Sequence, residues 1–574
     1  MGEGFPESRS AHNVTMSLLP LAGLLLALAP APVEVNVNAK TGETLTGERS
    51  FRVTVIAKNP VTQVEFYVGS DLRDNDTSTP YEFRIDSLAE ADGDLKIRFV
   101  AYTTAGEKGE KTITLKVDNG TDKGAQYHID RATAFLVDGK YADALVAGRT
   151  ALKIDDKSIP ARIVLARANL GLGKLDAAQK FAEDALAIKP NDPGALELLA
   201  SIRVRQAFAV TTRGDQKKED VLATQIAAFK AGAETQRKAL DTAADAADPS
   251  NLVLYADAAL RDHRYGSVVT KLLPSFQNDA SNVAIGNRLA YAQLRTGQPQ
   301  KAVQTLVDLG KYGKPDAYSK ALLAVAYAQL GDDTKSDDAL RDALLTDAND
   351  LGVRTAQAYL ALKNNKKDVL AAQATALGND QGQRTETAYY QAAILNSQRN
   401  FPEGRKAFQR AVLADPANTD AYLERANDSL GIVDSTKEQA DKDFLYATAR
   451  GYYEVAQVTY PESAEALTGL AIVAMFQKKP DEAYNYADAA TKAGPNNAAA
   501  AYALAAAANK MALASTQANR TADAARYASQ AQASNNRAGV LDKKNLAGRA
   551  IPDEKAVWRY LSGAGRVPVL TVPK

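Results

Sequence analysis

The chain predicts two architectures in series, a small all-β sandwich followed by a long all-α solenoid of stacked helical hairpins. Three features of its 574 residues carry this reading. Apolar residues alternate with period two from about 33 to 118, as half-buried strands require. A hairpin pattern returns every 34 residues through most of the remainder, the mark of a solenoid whose units touch only their neighbours. Cysteine is absent, so both parts must be held by packing alone.

Within the first region the alternating sets are Val33/Val35/Val37, Phe51/Val53/Val55, Val64/Phe66/Val68, Tyr81/Phe83/Ile85, Leu95/Ile97/Phe99 and Ile113/Leu115/Val117. Turn formers separate them: Thr41-Gly42, Asn59-Pro60, Asp74-Asn75-Asp76, Asp92-Gly93 and Ala105-Gly106. Six or seven short strands at this spacing describe a β-sandwich. The stretches from Gln63 to Gly69 and from Asp76 to Phe83 resemble the immunoglobulin-like domains appended to secreted bacterial proteins. That resemblance implies an extracytoplasmic spacer or adhesion module over residues 33–118. Residues 119–124 form a short polar linker.

The repeat is clearest over residues 159–192. Small residues stand at Ala166, Ala178 and Ala185, twelve and then seven apart, and Pro190 follows five later. The glycine-rich turn Gly171–Lys174 parts two amphipathic helices, the alanines let them approach, and the proline stops the second. Taking Ala166 as marker, steps of 34 give Ala132 and Ala200. A second ladder holds Ala256, Ala290, Ala324, Ala358, Ala392 and Ala426, and a third Ala471 and Ala505. The full spacing recurs as Ala392/Gly404/Ala411/Pro416 and Ala471/Ala483/Ala490/Pro495. This pattern resembles the tetratricopeptide repeat (TPR), which implies about eleven repeats in a right-handed solenoid over residues 125–520. Gaps of 56 and 45 residues break register, one repeat plus 22 and one repeat plus 11. The first excess, near 205–247, predicts a lengthened or extra helix, and the second, near 432–445, a polar loop or helix extension. Residues 521–574, with Trp558 and the Val567-Pro568-Val569 tail, are expected to cap the stack or peel from it.

Residues 18–29 form a twelve-residue apolar run closed by small residues and proline. A membrane helix needs ~20, so residues 1–32 read as a cleavable leader, with Met16 an alternative start. The expected location is therefore the bacterial periplasm, cell envelope or exterior, with no transmembrane span in the mature chain. Lys plus Arg and Asp plus Glu number 69 each, so there is no global field to draw nucleic acid or anionic lipid.

No reaction centre emerges from the sequence. The three histidines, His12, His128 and His263, are far apart and lack the spacing of a zinc site. Asp71, Asp74 and Asp76 lack the glycine and terminal glutamate of a calcium loop and read as turn formers. Phosphate-loop and nucleophile-elbow motifs are absent. No cofactor and no metal are expected.

Surface remains. In the resembled family the first helix of each hairpin lines the concave side at offsets −6, −3, +1 and +4 from the marker. Those offsets select Tyr318, Tyr389, Tyr502, Tyr291 and Tyr359, together with Arg167, Asn287 and Asn396. Tyrosines there either line a partner groove or fill helix joints. The Lys/Asn clamp by which some members hold a terminal carboxylate is missing, its places holding Ile129/Thr133, Ile163/Arg167 and Glu197/Ser201. The expectation is a non-enzymatic scaffold binding a protein or peptide in the envelope along an extended inner face. The competing expectation is glycan or cell-wall attachment through the sandwich, with the repeats as a stalk.

Overall fold

The computed structural model describes residues 33–211, 214–379, 384–433 and 435–542. The expected leader, with His12 and Met16, and the tail bearing Trp558 lie outside the described residues. The chain divides into two compact units, Met1–Gly124 and Ala125–Lys574.

The first unit contains β1 (Val33–Val37), β2 (Thr44–Leu45), β3 (Glu48–Ala57), β4 (Val61–Val68), β5 (Asp71–Asp76), β6 (Tyr81–Asp86), β7 (Gly93–Thr103) and β8 (Lys108–Val117). A three-stranded sheet, β1-β3-β6, faces a five-stranded sheet, β2-β8-β7-β4-β5. Phe51 and Phe83 from the first meet Phe66 and Phe99 from the second, with ring centroids 5.3–6.0 Å apart. With no cysteine in the chain, this aromatic quartet joins the two sheets by packing alone. Asp74-Asn75-Asp76, expected as a turn, instead pairs with Val64, Glu65 and Phe66 in the edge strand β5. The reason is that an exposed edge tolerates, and is protected by, carboxylates that a central strand would reject.

The second unit is a run of hairpins. The first five are α1 (Ala125–Val137) with α2 (Tyr141–Ile154), α3 (Ile159–Gly171) with α4 (Leu175–Ile188), α5 (Pro193–Ala209) with α6 (Lys218–Ala246), α7 (Leu252–Arg261) with α8 (Tyr265–Asn278), and α9 (Val283–Arg295) with α10 (Pro299–Tyr312). Next come α11 (Ala317–Leu330) with α12 (Asp333–Asp347), α13 (Leu351–Lys363) with α14 (Lys367–Gly378), and α15 (Thr385–Ser397) with α16 (Phe401–Ala414). The last three are α17 (Thr419–Val433) with α18 (Gln439–Thr459), α19 (Ala464–Phe476) with α20 (Pro480–Ala493), and α21 (Ala498–Gln517) with α22 (Thr521–Leu541). The described residues thus form eleven hairpins. Every alanine marker, from Ala132 to Ala505, lies in the first helix of its pair and is at most 5 % exposed, as a notch for close helix approach must be. Seven residues after the marker the chain turns through the left-handed region. Gly139, Gly173, Gly297 and Gly331 do so in four repeats, and His263, Asn365, Arg399 and Lys478 in four others. Residues 521–541, expected as cap or tail, are the second arm of the last hairpin, and only Ala531, Ser534 and Ala538 of that arm are buried. A mostly polar face is what a terminal repeat presents to water.

The two insertions meet. The first becomes α6, 29 residues long against 14 for α4, and the second lengthens α18 to 21. These two helices pack together, although five hairpins lie between theirs. Phe229 of α6, fully buried, sits among Phe208, Phe408, Tyr422 and Tyr452 at 5.0–6.2 Å. Gly451 of α18 lets Ile226 reach the backbone, since a Cβ there would fall 2.7 Å from Ile226 Cγ1. Lys218–Asp441 (2.7 Å) and Lys230–Glu454 (2.5 Å) flank this clasp.

Candidate functional site

The clasp turns the inner face of the central repeats onto itself. Where the sequence suggests an open groove, the structure has a cavity of about 1180 Å³, with an open mouth at the exposed residues Glu197, Arg261 and Asn349. Its wall is built from the α9 face and from the N-terminal ends of α11, α13, α15 and α17.

Local sequence fixes these ends. Asp316 accepts the Ser319 N–H at 2.7 Å, Asp350 the Val353 N–H at 3.1 Å, and Asn418 the Ala421 N–H at 2.8 Å. Each satisfies a helix donor that would otherwise lack a partner. Asn287 donates to Asp316 at 3.2 Å and accepts from the Ser319 hydroxyl at 2.6 Å, tying α9 to α11.

Three tyrosines form the deep wall: Tyr265, Tyr291 and Tyr318 are 4 %, 5 % and 6 % exposed. Burial pushes all three phenols above their ordinary range. The Tyr318 ring lies against Gly352, where any side chain would collide with it. Its hydroxyl is buried and has no hydrogen-bond partner among the described residues. Arg288 is closed off by a two-pronged pair with Asp257 at 2.7 and 2.8 Å. Arg295 holds Asp420 at 3.3 Å and lies over the Tyr265 ring, 5.0 Å from its centroid. His263 stacks on Tyr460 at 5.1 Å and touches the Thr419 hydroxyl at 3.3 Å. Lost hydration, with Arg295 and Arg237 nearby, drops its ring to about 3, so it is neutral at physiological pH.

Asp415 behaves oppositely. Burial pushes its carboxyl up to about 6 against the backbone N–H of Ala417, with Glu386 and Glu197 adding to the rise and Arg261 opposing it. Six carboxylates reach the cavity (Glu197, Asp316, Asp350, Glu386, Asp415, Asp420) against four guanidinium groups (Arg261, Arg288, Arg295, Arg384).

Of the residues singled out from the sequence, Asn287, Tyr291 and Tyr318 line this cavity. Arg167 is exposed on α3. Tyr359 is buried on α13, its phenol raised to about 12 by burial and interacting with Gln329. Tyr389 packs edge-on to Tyr390 at 4.9 Å. Asn396 donates to Glu424 at 3.0 Å, and Tyr502 is half-buried against the core. These five lie off the cavity wall. The sequence reading misses Tyr265, Arg295, Asp415, Asp420 and Glu386. The −6 offset does point to Glu386 and Asp420, because they precede Ala392 and Ala426 by six. Tyr265 opens α8 and meets Tyr291 and Arg295 of the next helix, and Asp415 lies in the turn before α17, both places outside the marker offsets.

Among the described residues no group of three metal-ligating side chains converges, and no helix is long and apolar enough to cross a membrane.

Comparison with known proteins finds a family match in each unit. The bacterial Ig domain model matches residues 32–130 and the tetratricopeptide repeat model residues 136–202. No curated protein matches the chain at a significant level. Among solved structures, the fibronectin(III)-like modules of Clostridium thermocellum CbhA are 30 % identical over 15 % of this chain and 94 % of theirs, with TM-score 0.14. Yeast Tom70 is 17 % identical over 74 % of this chain and 99 % of its own, with TM-score 0.32. YrrB, described as a TPR protein with an unusual peptide-binding site, is 12 % identical over 36 % of this chain and 94 % of its own, with TM-score 0.23. The chain thus carries a bacterial immunoglobulin-like domain matched over residues 32–130 and tetratricopeptide repeats matched over residues 136–202.

Proposed function

We propose that this protein is an exported, non-enzymatic scaffold that holds a segment of a partner protein in the cavity enclosed by its central repeats. The observation that carries the reading is the cavity itself: about 1180 Å³, floored by Tyr265, Tyr291 and Tyr318 and built on preformed helices. That volume exceeds the ~300–1,000 Å³ of ordinary small-molecule pockets and accommodates several residues of an extended chain. Tyrosine offers a large contact area with a polar tip, and a preformed wall limits the ordering cost of binding. Export is supported by the match to a bacterial Ig domain.

A photo-crosslinking amino acid in place of exposed Asn349 at the mouth tests the reading, with Lys311 on the outer helix α10 as the comparison position. Partner adducts from envelope extracts are expected at the mouth and not on the outer helix. Adducts at Lys311 alone would transfer the function to another surface.

A second reading, glycan or cell-wall attachment through the sandwich, is favoured by one strip of the five-stranded sheet. Tyr67 and Tyr102 share Glu65 at 2.7 and 3.1 Å, and Arg98 lies over the Tyr67 ring. Pelleting of the full chain with cell walls, lost on Tyr67→Ala, is the result that would promote it.

A further inference from the structure

We propose that a groove on the back of the fourth hairpin, between α7 and α8, docks an amphipathic helix of a partner protein, with an acidic residue of that helix set against Lys271. This surface is separate from the cavity and does not depend on what the cavity holds.

The groove, of about 930 Å³, runs from Leu252 and Tyr255 on α7 to Gly266, Thr270, Lys271 and Pro274 on α8. Helix geometry sets the direction in which it opens. At 3.6 residues per turn, Leu252 and Tyr255 stand on the side of α7 away from Asp257, which reaches forward to Arg288 of α9. On α8, Lys271 and Pro274 likewise lie away from Phe276, whose ring rests against Gly286 of α9. The groove therefore faces back toward the third hairpin.

That is the side a preceding helix covers elsewhere in the run. α2 packs along α3, α4 along α5 and α8 along α9, so the first helix of a hairpin carries the second helix of the one before. α6 departs from this pattern, because the clasp draws it to α18 and it meets α7 far less. Its last turns are held instead at the tip of the fourth hairpin, where Arg264 binds Asp241 and Asp245. The stacking surface is thus continued here without a helix of this chain upon it, and a two-helix wall receives a helix by ridges and grooves.

The residues in the groove agree. Leu252 and Tyr255 are half-buried against the main core and give it an apolar floor, and Pro274, exposed within α8, adds an apolar ring. Gly266 weakens a helix relative to alanine, yet a Cβ there would meet open space. Nothing inside the protein asks for glycine at that point, whereas a closely approaching partner does. Among the described residues Lys271, exposed, is the one charged group lining the groove, and no carboxylate lines it. That sets the sign of the partner's charge.

The test uses the full chain and labelled, helix-constrained peptides of 14 residues, the length of α4, read by fluorescence anisotropy. Each has leucines along one face, with a glutamate or a lysine at the centre of its edge, and a third, unconstrained peptide carries the glutamate and two central prolines. The glutamate helix is expected to bind about fivefold more tightly than the lysine helix, and Lys271→Glu should reverse that order. Gly266→Gln should weaken both helices severalfold without lowering the thermal midpoint, because the added side chain enters only the groove. Equal binding of the glutamate helix and the proline peptide overturns the helix as occupant. Equal binding of the two helices overturns the acidic partner. Binding that Gly266→Gln leaves unchanged belongs to another surface and overturns the groove. Self-association in sedimentation velocity that Lys271→Glu removes overturns a partner protein in favour of a second copy. Binding of neither helix overturns the proposal and leaves the cavity reading to the crosslinking at Asn349.

Discussion

At the scale of single residues, the repeat imposes a backbone state before it imposes a side chain. Lys478 turns its hairpin with φ of 60°, a conformation that costs an L-residue roughly 1 kcal/mol. Gly331 occupies the same register with φ of 78° and no such penalty. Lys478→Gly is therefore expected to raise stability by about 1 kcal/mol in urea unfolding. A loss instead would show that contacts of the lysine stem outweigh the backbone term. Asp415 supplies a pH-dependent counterpart. Its carboxyl stands at about 6 in the folded protein against about 3.9 in an unfolded chain. Between those values the folded form binds more protons, so this residue's contribution to stability falls as pH rises and the penalty is complete above about 6. Its charged neighbours are Glu386 on α15, Arg261 on α7 and Glu197 on α5. His263, at about 3, does not titrate in that window. Asp415→Asn keeps an acceptor for the Ala417 N–H and should stabilise the protein by on the order of 2 kcal/mol at pH 8 and hardly at all at pH 4. A gain that is the same at both values would mean the carboxyl is not the source.

At the scale of elements, the clasp between α6 and α18 separates what packing contributes from what charge contributes. Phe229 is enclosed by four aromatic rings, and replacing such a side chain with alanine costs about 3–5 kcal/mol. The Lys230–Glu454 pair is about one-third exposed on each side, a setting worth under about 1 kcal/mol. Phe229→Ala should therefore lower the unfolding midpoint far more than Lys230→Ala, and only the former should enlarge the particle in small-angle scattering. The same element shows how far the sequence could be read. Strand alternation and the alanine ladder are local codes, each a contact between residues near in the chain, and both architectures follow from them. The 22- and 11-residue breaks were visible as departures from register. That they meet was not, because a period describes how neighbours stack and says nothing of where the winding returns. For the site the same limit applies. Asn287, Tyr291 and Tyr318 sit on an inner face that the marker offsets define, whereas Tyr265 opens the second helix of its pair and Asp415 lies in a turn, positions that the offsets of a first helix do not describe.

At the scale of the whole repeat unit, closure changes how the solenoid holds together. An open array is a chain of nearest-neighbour terms and unravels from either end. Here one hydrophobic cluster runs from Val204 to Ala507, across hairpins that the clasp joins out of sequence. The first two hairpins stand outside it, in separate clusters reaching from Ile129 to Val164 and from Ala166 to Ile202. Cooperative units follow contiguous packing. Amide hydrogen exchange under native conditions should accordingly divide the repeats into two classes. Amides of α1 to α4 are expected to open at a lower free energy, while those from α7 to α18 share one higher value although no single hairpin among them is exceptional. Phe229→Ala should dissolve that shared value into a gradient, because removing the ring takes away the aromatic centre of the contact that joins α6 to the distant hairpins. If the gradient is already present in the unaltered protein, the clasp does not couple the repeats, and the cavity it encloses opens as readily as a groove.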